Sequence, residues 1–162
     1  MSMIGYFLKA NDFLVKRIEK GNAGEILFGE EVEQDLLCID KAWHAIHFVL
    51  TGCVWDIPDD NILGHMILGG EPVSEEDFGY GPARLISKGT VAQIADALKE
   101  WDEVTFREKF CMEDLIANEV YPVVEDEDGE LFAQYVCENF LELKKYFEAA
   151  ATDGDSMITF LG

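Results

Sequence analysis

Ile4, Tyr6, Phe7 and Leu8 crowd the first ten residues, and Asn11-Asp12 ends the run, so the pattern predicts a first strand over residues 2–10. Residues 13–19 then predict a short helix closed by Gly21-Asn22. At 100° per residue, Ile39, Trp43, Ile46 and Leu50 share one narrow arc, predicting a helix over residues 39–51 that Gly52 stops. A shorter helix over 60–68 is ended by Gly69-Gly70-Glu71-Pro72, and residues 83–86 predict a short strand. Thr90-Val-Ala-Gln93 has the form of a capping box opening a helix with Val91, Ile94, Ala95 and Leu98 on its apolar face. Two further short helices fit 103–110 and 112–118, before Tyr121-Pro122 forces an extended turn. The longest helix is predicted from 130 to 151, roughly 30 Å at 1.5 Å per residue, with Phe132, Val136, Phe140, Leu143 and Phe147 along one face. Residues 157–161 give a closing strand. Strands at both ends with helices between them predict an α+β, helix-rich single domain over 1–162. Its small sheet pairs the N-terminal and C-terminal strands under the Trp43 helix and the long C-terminal helix.

Composition agrees with a full core: 162 residues, 49% hydrophobic and 12% aromatic, exclude wholesale disorder. Charge adds something new. Thirty-three acids stand against 12 bases, a net −21. Nucleic-acid backbones and anionic lipid surfaces require clustered Lys and Arg, so neither is an expected partner. No apolar run approaches a membrane span, and the N-terminal segment lacks a basic leader region, so a cytoplasmic location is expected. Three stretches carry acids and no Lys or Arg: 25–40, 56–77 and 113–130. Spread over the roughly 8,000 Å² surface of a protein this size, the surplus charges stand about 20 Å apart, beyond a Debye length of ~8 Å. A local field therefore needs two of these runs to meet in space.

The motifs are mostly negative. Gly79-Tyr-Gly81-Pro-Ala-Arg84 superficially resembles a dinucleotide loop, but it precedes a strand where that loop must follow one, and Arg84 replaces the third glycine. Aligning Gly129 with the glycine of a calcium loop leaves Val124 and Tyr135 at ligand positions, so the acidic run 124–130 reads as a turn entering a helix. Asp40, His44 and His47 have helical spacing, which alone makes no metal site; His47 reads as a half-buried histidine and Arg84 as an ion-pair partner. Cys38, Cys53, Cys111 and Cys137 form no CxxC pair and read as reduced, mostly buried thiols. No cofactor and no metal is implied.

Met3-Ile-Gly-Tyr-Phe7, Asp40-Lys-Ala-Trp-His-Ala-Ile-His-Phe48, Leu50-Thr-Gly52, Leu68-Gly-Gly70, Gly79-Tyr-Gly-Pro-Ala-Arg84 and Val120-Tyr-Pro122 together resemble the bacterial YfbM-like family over essentially the whole chain. That family is a domain of unknown function, so the resemblance implies a compact α+β domain and carries over no catalytic residue. It does single out Asp40, Trp43, His47, Tyr80, Arg84 and Tyr121. These residues suit an aromatic-lined cleft for a small polar or anionic ligand, and they suit equally a buried polar network that fixes the packing. Two functions follow as expectations. One is a non-enzymatic acidic protein that binds a basic protein partner, as immunity-type inhibitors of basic toxins do. The other is a small-molecule binder or enzyme using Trp43, His47, Tyr80 and Arg84.

Overall fold

The computed structural model describes residues 2–123 and 128–162. Its centre is a ladder between the two ends of the chain. Strand β1 (Gly5–Ala10) runs antiparallel to β5 (Ser156–Leu161), from Gly5 opposite Leu161 to Ala10 opposite Ser156. The five-stranded sheet has the order β2-β1-β5-β4-β3, with β2 at Leu37–Cys38, β3 at Glu71–Asp77 and β4 at Pro82–Ile86, every pair antiparallel. The α+β class and the pairing of the termini are therefore as the sequence indicates.

Both faces of the sheet are covered, because the strands point apolar side chains in both directions. Phe7, Ile86 and Met157 join the larger core with α4 (Trp43–Thr51), α5 (Lys88–Leu98) and α8 (Gly129–Asp153). Leu8, Ala10, Ala83, Ile158 and Phe160 face the other way, onto α1 (Asp12–Glu19), α2 (Ala23–Leu27) and α3 (Glu30–Glu33). The sequence pattern had not shown this second layer, because α2 and α3 are each little more than one turn and carry too few positions for a periodicity. Helices α6 (Glu103–Lys109) and α7 (Met112–Ala117) complete the larger core through Phe106 and Leu115. Phe106 stacks on Phe140 of α8, ring centroids 4.3 Å apart.

Several local expectations are corrected. Helix α5 starts at Lys88, where the Ser87 hydroxyl accepts the Thr90 N–H; the cap lies three residues before the Thr90 box because Ser87 already satisfies that donor. The segment 60–68 holds a 3₁₀ turn, Ile62–His65, capped by Asn61. Residues 71–77, to which the sequence pattern assigned no element, form the edge strand β3, a position in which a sheet tolerates its proline and acids. Asp128 caps α8 by accepting the Glu130 and Leu131 N–H groups, while residues 124–127 of the rejected calcium loop lie outside the described residues. Of the four thiols only Cys137 is buried; Cys38 and Cys111 are exposed. No helix among the described residues is long and apolar enough to cross a membrane.

The stacked Phe106–Phe140 pair ties α6 to α8 inside the core. Phe140→Ala is expected to cost about 3–5 kcal/mol by chemical denaturation, against a change within about 0.5 kcal/mol for exposed Val104→Ala.

Candidate functional site

Helix α4 is apolar nearly all round and is buried accordingly, Trp43, His44 and His47 included, each at 1% exposure or less. Both histidines thus lie in the interior, His47 more deeply than the half-buried position expected for it. A 3₁₀ turn at Asp40–Ala42 leads into the helix, with Asp40 held at φ 52°. Gly5 of β1 admits this corner: a Cβ there would meet the Trp43 Cβ at 3.2 Å.

Most polar groups of this region are matched to backbone. The Trp43 indole N–H donates to the Met3 carbonyl at 2.9 Å, and the Met3 N–H donates to the Tyr121 hydroxyl oxygen at 2.9 Å. The two rings that bond the Met3 backbone stack on each other, 5.8 Å between centroids. His44 lies flat on Trp43 at 5.0 Å. Its Nδ1 accepts the Tyr121 backbone N–H at 2.9 Å, so the proton sits on Nε2, which donates to the Val54 carbonyl at 2.9 Å. His47 repeats the motif one turn on, with Nε2 donating to the Asp56 carbonyl at 3.0 Å; its buried Nδ1 has no hydrogen-bond partner among the described residues. Trp55 covers His44 from the solvent side at 4.2 Å and is itself 59% exposed. Burial lowers the pKa of both histidines, more than the carbonyl contacts raise it, and for His47 the neighbouring His44 lowers it further.

The remaining residues singled out from the sequence lie elsewhere. The Asp40 carboxylate accepts the Tyr135 hydroxyl proton at 2.7 Å, and the Lys41 N–H donates to the same phenol oxygen at 2.9 Å. Burial, then the hydrogen bond to Asp40, pushes the Tyr135 pKa above its usual value. Asp40, Lys41, Tyr135, Pro122, Leu131 and Phe132 line an open surface cavity of about 430 Å³. Arg84, on β4, donates to the carbonyls of Gly69 and Ile67, both at 2.8 Å, and burial lowers its pKa. These carbonyls take the place of the ion-pair partner expected from the sequence. Tyr80 is exposed at the tip of the β3–β4 turn, where Asp77 accepts the N–H groups of Gly79 and Gly81. Trp43 and Tyr121 are thus brought together, with Asp40 at the corner before them and His47 one turn beyond. Tyr80 and Arg84 have separate surroundings. His44 and Trp55 complete the cluster; Trp55 gave no sequence signal because its loop has no periodicity. Among the described residues no group of three or more His, Cys, Asp or Glu side chains is placed to hold a metal ion.

This architecture has relatives. The family model described as a domain of unknown function (DUF1877) matches residues 1–160. The chain belongs to that family. Protein YfbM of Escherichia coli (strain K12) is 28% identical over 158 residues, spanning 92% of this chain and 90% of its own. The crystal structure of the protein of unknown function YfbM from Escherichia coli matches with a TM-score of 0.71 at 26% identity, covering 99% of this chain and all of that one.

Because burial in the fold favours the neutral form of both histidines, the unfolded chain takes up their protons first as pH falls through about 6.5. Stability is therefore complete above that pH and declines as pH drops toward the lowered folded-state values. Urea midpoints measured between about pH 8 and about pH 5.5 should fall in the native chain and fall less in His44→Leu/His47→Leu. At neutral pH, His44→Leu itself should cost about 1–3 kcal/mol for each backbone group it strands.

Proposed function

We propose that this chain is a non-enzymatic acidic interaction protein whose partner is a basic protein surface, engaged on the side formed by α2, α3 and β3. The observation that carries this reading is the meeting of two acid-only runs. The Gly24 N–H of α2, one residue before the run 25–40, donates to the Glu76 carboxylate of β3, so the start of that run lies against the end of the run 56–77. A Cβ at Gly24 would press on the Glu76 carboxylate and displace that exposed side chain. Glu25, Glu30, Glu33 and Asp35 on one side, and Glu71, Glu75, Glu76 and Asp77 on the other, are all exposed. Of the acids on these elements, Glu31 is the one held in an ion pair among the described residues, by Arg17 at 2.6 Å. Unpaired carboxylates on two adjoining elements give the local field that evenly spaced charges would lack.

The competing small-molecule reading has less support. The Trp43, His44, His47 and Arg84 side chains are engaged with backbone groups inside the fold, and such donors are not free for a substrate. Their work is to pin the segments at Met3, Val54–Asp56 and Ile67–Gly69.

An oligolysine peptide titrated against the protein is expected to bind at low salt and to lose affinity steeply as salt rises. Reversal of Glu33 and Glu75 to Lys should weaken binding by about tenfold. Reversal of Glu113 and Asp114, on α7, should change it less. Equal weakening by both pairs, or no salt dependence, would remove the assignment to this face.

A further inference from the structure

Phe160 of β5 is fully buried and forms the base of an aromatic patch on the α1–α3 side of the sheet. Tyr6 stacks on it at 5.1 Å, Phe78 lies against it at 5.2 Å, and Phe28 meets it edge-on at 5.5 Å. Phe28 also contacts Phe78 at 5.5 Å. Four parts of the chain supply these rings: β1, the C-terminal cap of α2, the β3–β4 turn and β5. Phe28, the outermost, is 60% exposed, and Phe78 and Tyr6 are half-buried.

The patch sits where the two acidic runs join. Glu25 lies three residues before Phe28, and Glu76 and Asp77 immediately precede Phe78. The chain treats its other strongly exposed phenylalanine differently: Arg17 lies over the Phe13 ring at 5.9 Å. Among the described residues no cation of the chain lies over Phe28 in that way; the other two such pairs are Lys9 on Tyr146 and Lys109 on Trp101.

Resting on the acidic-face reading, the geometry points to Phe28 and Phe78 as a stacking site for an arginine side chain of the basic partner. A guanidinium is planar and weakly hydrated, so it lies on a ring face while its N–H groups reach flanking carboxylates. A lysine ammonium reaches the same carboxylates but covers the ring less well. A second copy of this chain is a poor occupant, because it would set one carboxylate rim against another.

Two fluorescent peptides of equal length and charge, one carrying arginine and one lysine, test the assignment. At low salt the arginine peptide should bind about two- to fivefold more tightly. Phe28→Leu, which keeps apolar bulk and removes the ring face, should abolish that difference by weakening the arginine peptide more than the lysine peptide. Phe28→Trp should widen it, and matched melting temperatures would show all three proteins equally folded. Equal affinity for the two peptides, or a preference that survives Phe28→Leu, overturns the stacking site and leaves the acidic face standing if both peptides still bind in a salt-dependent way. Failure of both peptides to bind removes the acidic face and the stacking site together. A concentration-dependent dimer lost in Phe28→Leu would assign the patch to a second copy and overturn the proposal.

Discussion

The ladder between β1 and β5 holds the rest of the molecule in place. These strands lie at opposite ends of the chain, so their pairing closes a loop of about the whole sequence, a large entropic cost that adjacent contacts must offset. The offset comes from burial on both faces: Phe7 and Met157 enter one core, Leu8, Ile158 and Phe160 the other. Once the ladder is in place, β4 and β3 extend it on one side and β2 on the other. Each helix layer then gains a surface to cover.

The polar residues of the Trp43 region reinforce that ladder more than they resemble a reaction centre. Trp43 and Tyr121 together satisfy the backbone N–H and C=O of Met3, just ahead of β1. His44 ties the same Tyr121 backbone to Val54, and His47 holds Asp56. Each contact joins segments with no regular ladder of their own, and a buried polar group without such a partner would carry a desolvation penalty. Neutral His44 does this well because one nitrogen donates while the other accepts. Arg84 serves the same end with two donors, carrying its charge to backbone carbonyls in place of a carboxylate.

The acidic excess has a different geography. Among the described residues, exposed acids line α3 and the edge strand β3, and α2 meets β3 through the Glu76 carboxylate. Carboxylates on an edge strand discourage pairing with other chains' strands, and the same charges offer a field to a cationic surface. In the proposed reading, the aromatic patch beside them gives that field a shaped contact.

By itself the sequence determined the α+β class, the two terminal strands and the longer helices, because those depend on local periodicity over enough residues to register. The long helix from 130 to 151 and the Trp43 helix appear nearly where their apolar stripes indicate. It also showed where acids run without bases. Only the tertiary structure decided that a second helix layer covers the sheet and that β3 is a strand, since α2, α3 and an acidic edge strand have no period of their own. The site divides in the same way. Asp40, Trp43, His47, Arg84 and Tyr121 stand out in sequence as reactive side-chain types in distinctive segments. Whether such groups face solvent or backbone depends on chain segments far away in sequence, such as Met3 for Trp43 and Gly69 for Arg84. A side chain's partners are set by where the fold brings distant peptide groups, and no local pattern of residues encodes that.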